Sequence, residues 1–259
     1  MRKLLVGILA VLALAACGTA NEPGSSPSGS PAAEIKGTIT VLAAASLTET
    51  FTKLGKEFEA QYPGTTVKLS FGASSTLAQQ ITNGAPAEVF AAASPSTMKQ
   101  VTDAKSASGE PAIFVRNRLQ IAVPQGNPAK ITGLKDFANA DLKITLCAKD
   151  VPCGTAATKA FDAAGITPKP DTYGADVKAV LTTVRLGEAD AGMVYKTDVI
   201  AAGDDVDGLD FPEADKAIND YPIATLTEGP NQEGAKAFVE FVLSAKGQET
   251  FTAAGFDLP

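Results

Sequence analysis

The sequence predicts an α/β fold with mostly parallel sheets, built as two lobes that enclose a cleft and are joined by two strands. Apolar, partly β-branched runs alternate with stretches of helical spacing along most of the chain, the order of strand–helix units that build parallel sheets. Two further extended segments interrupt that order: Arg118–Pro124 reads as a strand leaving the first lobe, and Tyr221–Leu226 as the return. The 259 residues, 45% of them hydrophobic, suffice for two cores.

Thr38–Ala45 is an apolar run and reads as a buried strand. Ser46-Leu-Thr-Glu49 follows with capping-box spacing, the serine accepting from the Glu49 N–H and the glutamate reaching back. Leu47, Phe51, Leu54 and Phe58 then recur at helical spacing until Tyr62-Pro-Gly64 stops the helix. Val67–Phe71 is the second strand, Gly72–Ser75 a turn, Thr76–Thr82 a helix with Leu77 and Ile81 inward, and Val89–Ala93 a third short strand. Ser94 and Pro95 open another helix as cap and first residue. The pattern returns with a strand at Lys143–Leu146 and a helix at Thr155–Ala164 closed by Gly165. Asp176 then caps a helix carrying Val177, Val180, Leu181 and Val184 on one face, and Ala191–Tyr195 is a strand. Gln232–Leu243, the final helix, rejoins the first lobe. Residues 36–118 and 224–259 thus form lobe 1 and residues 119–223 lobe 2.

The N-terminus reads as an address. Arg2 and Lys3 precede an apolar run, Leu4–Ala13, too short to span a membrane, and small residues lead into Cys17. This is the pattern of a lipoprotein signal, residues 1–16, cut before a cysteine that takes a lipid. The alternative is a plain secretory signal cut nearby. Residues 17–35, rich in Gly, Ser, Pro and Ala, form a flexible tether. The expected location is the extracytoplasmic face of the cell membrane, through the lipid anchor at Cys17 alone. Cys147 and Cys153 remain, six apart, in an oxidising compartment, which suggests a small-loop disulfide. Two free thiols or a soft-metal site are the alternatives, the latter poor without a third ligand.

Composition excludes several functions. The chain has no histidine, which removes Ser-His-Asp and Cys-His triads and His-ligated zinc. A net charge of −7 leaves no footprint for nucleic acid. Ser96-Thr-Met-Lys99 matches the S-x-x-K pattern of penicillin-binding enzymes, but no S-D-N or K-T-G accompanies it, and the chain reads as a binding protein rather than an enzyme. Several helix starts carry small or hydroxylic residues: Ser46, Ser74-Ser75, Cys153-Gly-Thr155 and Val177 after Asp176. Each is open to simple capping. Two or more aimed into one cleft would form an anion site without any charged side chain.

Ala43-Ala-Ala-Ser-Leu-Thr48, Ser70-Phe-Gly-Ala-Ser-Ser-Thr-Leu-Ala78 and Gly84-Ala-Pro-Ala-Glu-Val-Phe90 closely resemble the bacterial molybdate-binding proteins, the extracytoplasmic receptors of molybdate ABC importers. Val151-Pro-Cys-Gly154, Asp176-Val177, Gly192-Met-Val-Tyr195 and Tyr221-Pro-Ile223 continue the match in order, from about Thr38 to Phe256. The resemblance implies a periplasmic-binding-protein fold of type II, with the ligand cleft between lobes joined by two hinge strands. It implies a molybdate site made of Ser46 and Ser74 (hydroxyl and backbone N–H), the Tyr195 phenol, the Val177 N–H and the Cys153 N–H. Cys153 stands where the family commonly has an alanine after a proline; its N–H serves equally, and a bond to Cys147 would stiffen that wall. The implied partners are an ABC permease with its ATPase. No cofactor or cation is expected, molybdenum entering only as the oxyanion, and the receptor is expected to be a monomer.

The chemistry suits that ligand. Molybdate at neutral pH is a dianion that offers only acceptors, so a site of donors alone fits it. Phosphate usually keeps a proton and needs a buried acceptor, whose absence costs about 1–3 kcal/mol. Sulfate must be rejected by size, and tungstate is nearly the same size as molybdate. Sulfate, phosphate or an organic acid remain alternative ligands, the last weakened because Arg116, Arg118 and Arg185 lie outside the motif loops. A purely structural surface lipoprotein is the remaining reading.

Overall fold

The computed structural model describes residues 35–259. The signal sequence, Cys17 and all of the tether before Ile35 lie outside the described residues. In chain order the body runs β1 (Gly37–Ala44), α1 (Thr48–Gln61), β2 (Thr65–Gly72), α2 (Ser74–Thr82), β3 (Val89–Ala91), α3 (Pro95–Asp103), β4 (Ala107–Asn117) and β5 (Leu119–Pro124). It continues through β6 (Ile144–Cys147), α4 (Pro152–Ala164), β7 (Thr172–Gly174), α5 (Val177–Arg185), β8 (Ala191–Tyr195), α6 (Lys196–Ala202) and β9 (Val206–Leu209). It ends with β10 (Asn219–Leu226), α7 (Gln232–Leu243) and α8 (Ala245–Ala253). None of these helices is long and apolar enough to cross a membrane.

Two five-stranded sheets carry the two lobes, with orders β2-β1-β3-β10-β4 and β7-β6-β8-β5-β9. Each has three parallel strands, then one antiparallel strand (β10 or β5), then a fifth antiparallel to that one. Four strands of every five therefore share a direction, the mixed form of the expected parallel sheet. β1 is buried on both faces, Ile39 and Val41 fully so, as a central strand covered by helices must be. β2, at the edge, alternates exposed and half-buried residues instead.

The chain crosses between sheets at Arg118 and again just before Asn219. β10 lies in the first sheet along its whole length, so residues 219–223 belong with lobe 1 and the boundary expected at 224 moves forward. The Asn219-Asp220 start disguises this strand, because both residue types disfavour strands. Asp220 is held there by Arg116 of β4 at 2.7 Å, and Asn219 is buried with both its amide hydrogens used. α8 had no sequence signal strong enough to be read; Ser244 caps it through the Gly247 N–H.

One apolar core serves the first lobe on the α1/α7/α8 side, where Phe51 meets the rings of Phe114, Phe238 and Phe251 at 6.0–6.2 Å. A second, on the other face of that sheet, gathers Leu77, Ile81, Phe90 and Met98. The third core fills the second lobe, and Ala45 and Ala73, from the ends of β1 and β2, are packed into it. The two lobes are thus in contact along the ends of their strands.

The capping box expected at Ser46–Glu49 is absent. Ala45–Leu47 forms a 3-10 turn ahead of α1, which moves the helix start to Thr48 and leaves Ser46 in the turn. Its hydroxyl meets Tyr221 instead, and Glu49 pairs with Lys178. α2 and α4 also begin earlier than expected, at Ser74 and Pro152, so Ser74 and Cys153 sit inside first helical turns. The other caps are as read. Ser94 accepts from Thr97 N–H at 3.3 Å with Pro95 at the first position, Asp176 accepts from Ala179 N–H at 3.0 Å, and Gly165 is left-handed at the end of α4.

Candidate functional site

The parallel strands of both sheets deliver their C-terminal ends to one small cavity. Ser46 follows β1, Ser74 follows β2, Cys153 opens α4 after β6, Val177 opens α5 after β7, and Tyr195 ends β8; all five line the cavity. The centre of a water-sized sphere can occupy only about 20 Å³ of it. That is room for one compact ion rather than an extended organic ligand. All five residues are buried, with exposures of 1–4%.

The electrostatics come from backbone and hydroxyls. α2 and α4 start at the cavity with no side-chain cap, so their first N–H groups have no partner within the helix. On α5 the Asp176 Oδ1 accepts from Ala179 N–H, leaving the N–H of Val177 open. Asp176 is the one charged residue lining the cavity, and no arginine or lysine does. Among the described residues there is also no group of three or more Cys, Asp or Glu able to hold a cation. Apart from the Asp176 carboxylate at its edge, the cavity presents donors and positive dipole ends.

Around it lies a polar network that the sequence did not disclose. Ser46 Oγ stands 2.8 Å from the Tyr221 hydroxyl, and Asn219 Nδ2 donates to the Tyr195 phenol at 3.0 Å and to the Ala93 carbonyl at 2.6 Å. Ala93 N–H donates to Ser74 Oγ at 3.0 Å. Burial pushes both phenols above the ordinary tyrosine range; for Tyr195 the neighbouring Tyr221 and the Asp198 charge add to it. Asp198, fully buried, accepts from Tyr195 N–H at 3.1 Å and pairs with Lys178 at 3.0 Å. Burial raises the Asp198 carboxyl, with Lys178 opposing. Desolvation would lower the Lys178 ammonium, but Asp198 and Glu49 outweigh it and the net shift is upward. Tyr221 had a signal, the Tyr-Pro-Ile motif, but read there as a strand residue. Asn219, Lys178 and Asp198 had none, because their roles depend on which elements meet.

Cys147, the last residue of β6, and Cys153 are joined by a disulfide. It ties the end of that strand to the first turn of α4 beside the cavity. The S-x-x-K segment lies away from this site: Ser96 is exposed on the first turn of α3, and Lys99 pairs with Asp103 at 2.6 Å.

Known proteins place this architecture. The molybdate-binding protein ModA of Mycobacterium tuberculosis is 39% identical over 98% of this chain and 97% of its own length. The periplasmic molybdate-binding protein of Azotobacter vinelandii superposes with a TM-score of 0.75 at 21% identity, over 85% of this chain and 99% of that one. The sulfate-binding protein SubI of M. tuberculosis shares the fold at a TM-score of 0.72 and 17% identity, over 85% of this chain and 86% of its own. The profile of the bacterial extracellular solute-binding proteins matches residues 39–257. With its two mixed sheets and an ion-sized cavity between them, this chain belongs to that family of bacterial extracellular solute-binding proteins.

Proposed function

We propose that this chain captures molybdate, and tungstate with it, outside the cell and hands it to an ABC permease and its ATPase. The observation that carries the reading is the meeting of Ser46, Ser74, Cys153, Val177 and Tyr195 around one cavity lined by no cationic side chain. Such a site neutralises a dianion by hydrogen bonds alone. Charge-assisted bonds contribute about 1.5–3 kcal/mol each. Six or seven, less the costs of dehydration and lost ligand freedom, leave roughly 10 kcal/mol, a Kd in the range of tens of nanomolar. The likeness to a protein named for molybdate over nearly the whole chain supports this ligand over sulfate, whose named binder shares only the fold. The chain works as a monomer with no cofactor or catalytic step, held to the membrane by lipid on Cys17.

Because the ligand contacts both lobes, it stabilises the closed arrangement that the transporter receives. A thermal-shift scan against molybdate, tungstate, sulfate and phosphate tests the reading. At 100 times its Kd a ligand adds about 2.7 kcal/mol, a rise of several degrees. The expected result is a shift with molybdate and tungstate only. A shift with sulfate alone overturns the ligand and keeps the cleft; no shift with any of the four overturns both. Ser46→Ala, Ser74→Ala and Tyr195→Phe should each weaken binding.

A further inference from the structure

The hydroxyls of the three residues Ser46, Ser74 and Tyr195 that line the cavity each have a hydrogen-bonding partner within the protein. For Ser74 that group is the Ala93 N–H, at 3.0 Å, which can only donate. For Tyr195 it is Asn219 Nδ2, at 3.0 Å, with the Tyr221 hydroxyl as a second partner. The orientation of the Asn219 amide is not free: the same nitrogen donates to the Ala93 carbonyl at 2.6 Å, and a carbonyl can only accept. For Ser46 it is the Tyr221 hydroxyl at 2.8 Å. Behind Tyr221 stands the Asn117 amide. That amide is oriented too, because Arg118 N–H donates to Asn117 Oδ1 at 3.0 Å and so leaves its Nδ2 facing Thr197 Oγ1 at 2.8 Å and the phenol.

A hydroxyl has one hydrogen and two lone pairs. When a group that can only donate occupies the rear lone pair, the hydrogen is left to the cavity. Ser74 meets this condition directly, and Tyr195 meets it once a ligand of acceptors takes its hydrogen, which the neighbouring Tyr221 hydroxyl can otherwise accept. Ser46 meets it once its own hydrogen is taken by a ligand of acceptors, since Tyr221 can then complete the line only by donating to Ser46. Asn219, Ala93, Tyr221 and Ser46 are all buried, so no bulk water competes for these positions.

We propose that Tyr221 and Asn219 are positioning residues that set the polarity of the site, holding the Ser46 and Tyr195 hydroxyls as donors toward the cavity so that neither serves as the acceptor a protonated anion needs. The inference rests on the oxyanion reading above and deepens it. It assigns discrimination between a bare dianion and a protonated one to two residues behind the lining, on the strand that returns to the first lobe.

The test is a double-mutant cycle read by titration calorimetry with molybdate and phosphate. Tyr221→Phe keeps the ring and removes the one hydroxyl. It should weaken molybdate about tenfold and narrow the molybdate-to-phosphate ratio. In a Ser46→Ala background the same change should cost clearly less, about threefold, because one of the two hydroxyls it touches is gone. A purely structural role would give equal losses in both backgrounds and leave the ratio unmoved, and that result overturns the proposal. If Tyr221→Phe does not fold, the Asn219→Ala and Tyr195→Phe cycle asks the same question of the second hydroxyl, with the same two outcomes. Failure of the unaltered chain to bind any tetrahedral anion overturns the oxyanion reading itself, which separates that failure from an additive cycle.

Discussion

Lys178 of α5 reaches across the cleft to Glu49 of α1, its Nζ 2.9 and 3.0 Å from the two carboxylate oxygens. Lys178 follows the cavity residue Val177, and Glu49 lies in the first turn of the helix that follows Ser46, so this pair fastens the two lobes beside the cavity. The same ammonium serves Asp198, which is 0% exposed. The two partners predict unequal consequences. Glu49 is half exposed, so Glu49→Gln should cost at most about 1 kcal/mol, seen as a several-fold faster molybdate release that high salt imitates in the unaltered chain. Lys178→Met strands the buried Asp198 charge and should lower unfolding stability by about 3–5 kcal/mol. Adding Asp198→Asn should recover most of that loss. Equal melting temperatures for Glu49→Gln and Lys178→Met would refute the division of labour.

The Cys147–Cys153 bond closes a short loop, and its effect on the unfolded chain is worth about 2 kcal/mol by loop length. Replacing both cysteines by serine should lower the melting temperature by about 4–8 °C. Serine at 153 keeps the backbone N–H, so molybdate binding should persist but weaken, with the loss in the dissociation rate. An unchanged melting temperature would mean that α4 holds this wall without the bond.

Gly154, next in the same turn, has no room for a side chain. A Cβ there would stand 1.9 Å from the Ala148 carbonyl oxygen and 2.7 Å from its carbon, and that oxygen is already fixed by Val151 N–H at 3.2 Å. Backbone cannot swing aside as a flexible side chain can. Gly154→Ala should destabilise by about 2–4 kcal/mol, measured by denaturant unfolding. A near-neutral result would show that the loop and α4 separate easily.

Most of this architecture was legible because it rests on periodic burial. The apolar runs at Thr38–Ala45 and Ala191–Tyr195, the caps at Ser94 and Asp176, and the stop at Gly165 are local signals, and each appears where it was read, the first strand shifted by one residue to Gly37–Ala44. What failed was also local. Ser46–Glu49 has the spacing of a capping box, but a 3-10 turn puts Ser46 against Tyr221, a residue 175 positions away, and frees Glu49 for Lys178. Asn219 looks like a loop residue until the Tyr195 phenol and the Ala93 carbonyl stand beside it. The five cavity residues came from motif resemblance; the groups that orient their hydroxyls lie on other elements, and only the packing of one strand end against another reveals them.

Burial of the two phenols gives a pH prediction with a definite sign. Protonated, each is a donor, and the folded state holds both protons more tightly than the unfolded chain does. Their contribution to stability is therefore fully present below the unfolded tyrosine value of about 10 and is lost only as pH climbs through the higher folded values. Lys178, also shifted upward, keeps its charge over the same range and loses its contribution above its unfolded value. Molybdate affinity should thus show no fall attributable to phenol ionisation between neutral pH and about pH 10. Tyr195→Phe and Tyr221→Phe should leave the tyrosinate absorbance that develops up to that pH unchanged, since neither phenol ionises there in the folded chain. A drop in absorbance on removing either ring hydroxyl would show water reaching the floor of the cavity, and with it a site too wet to exclude a protonated anion by polarity.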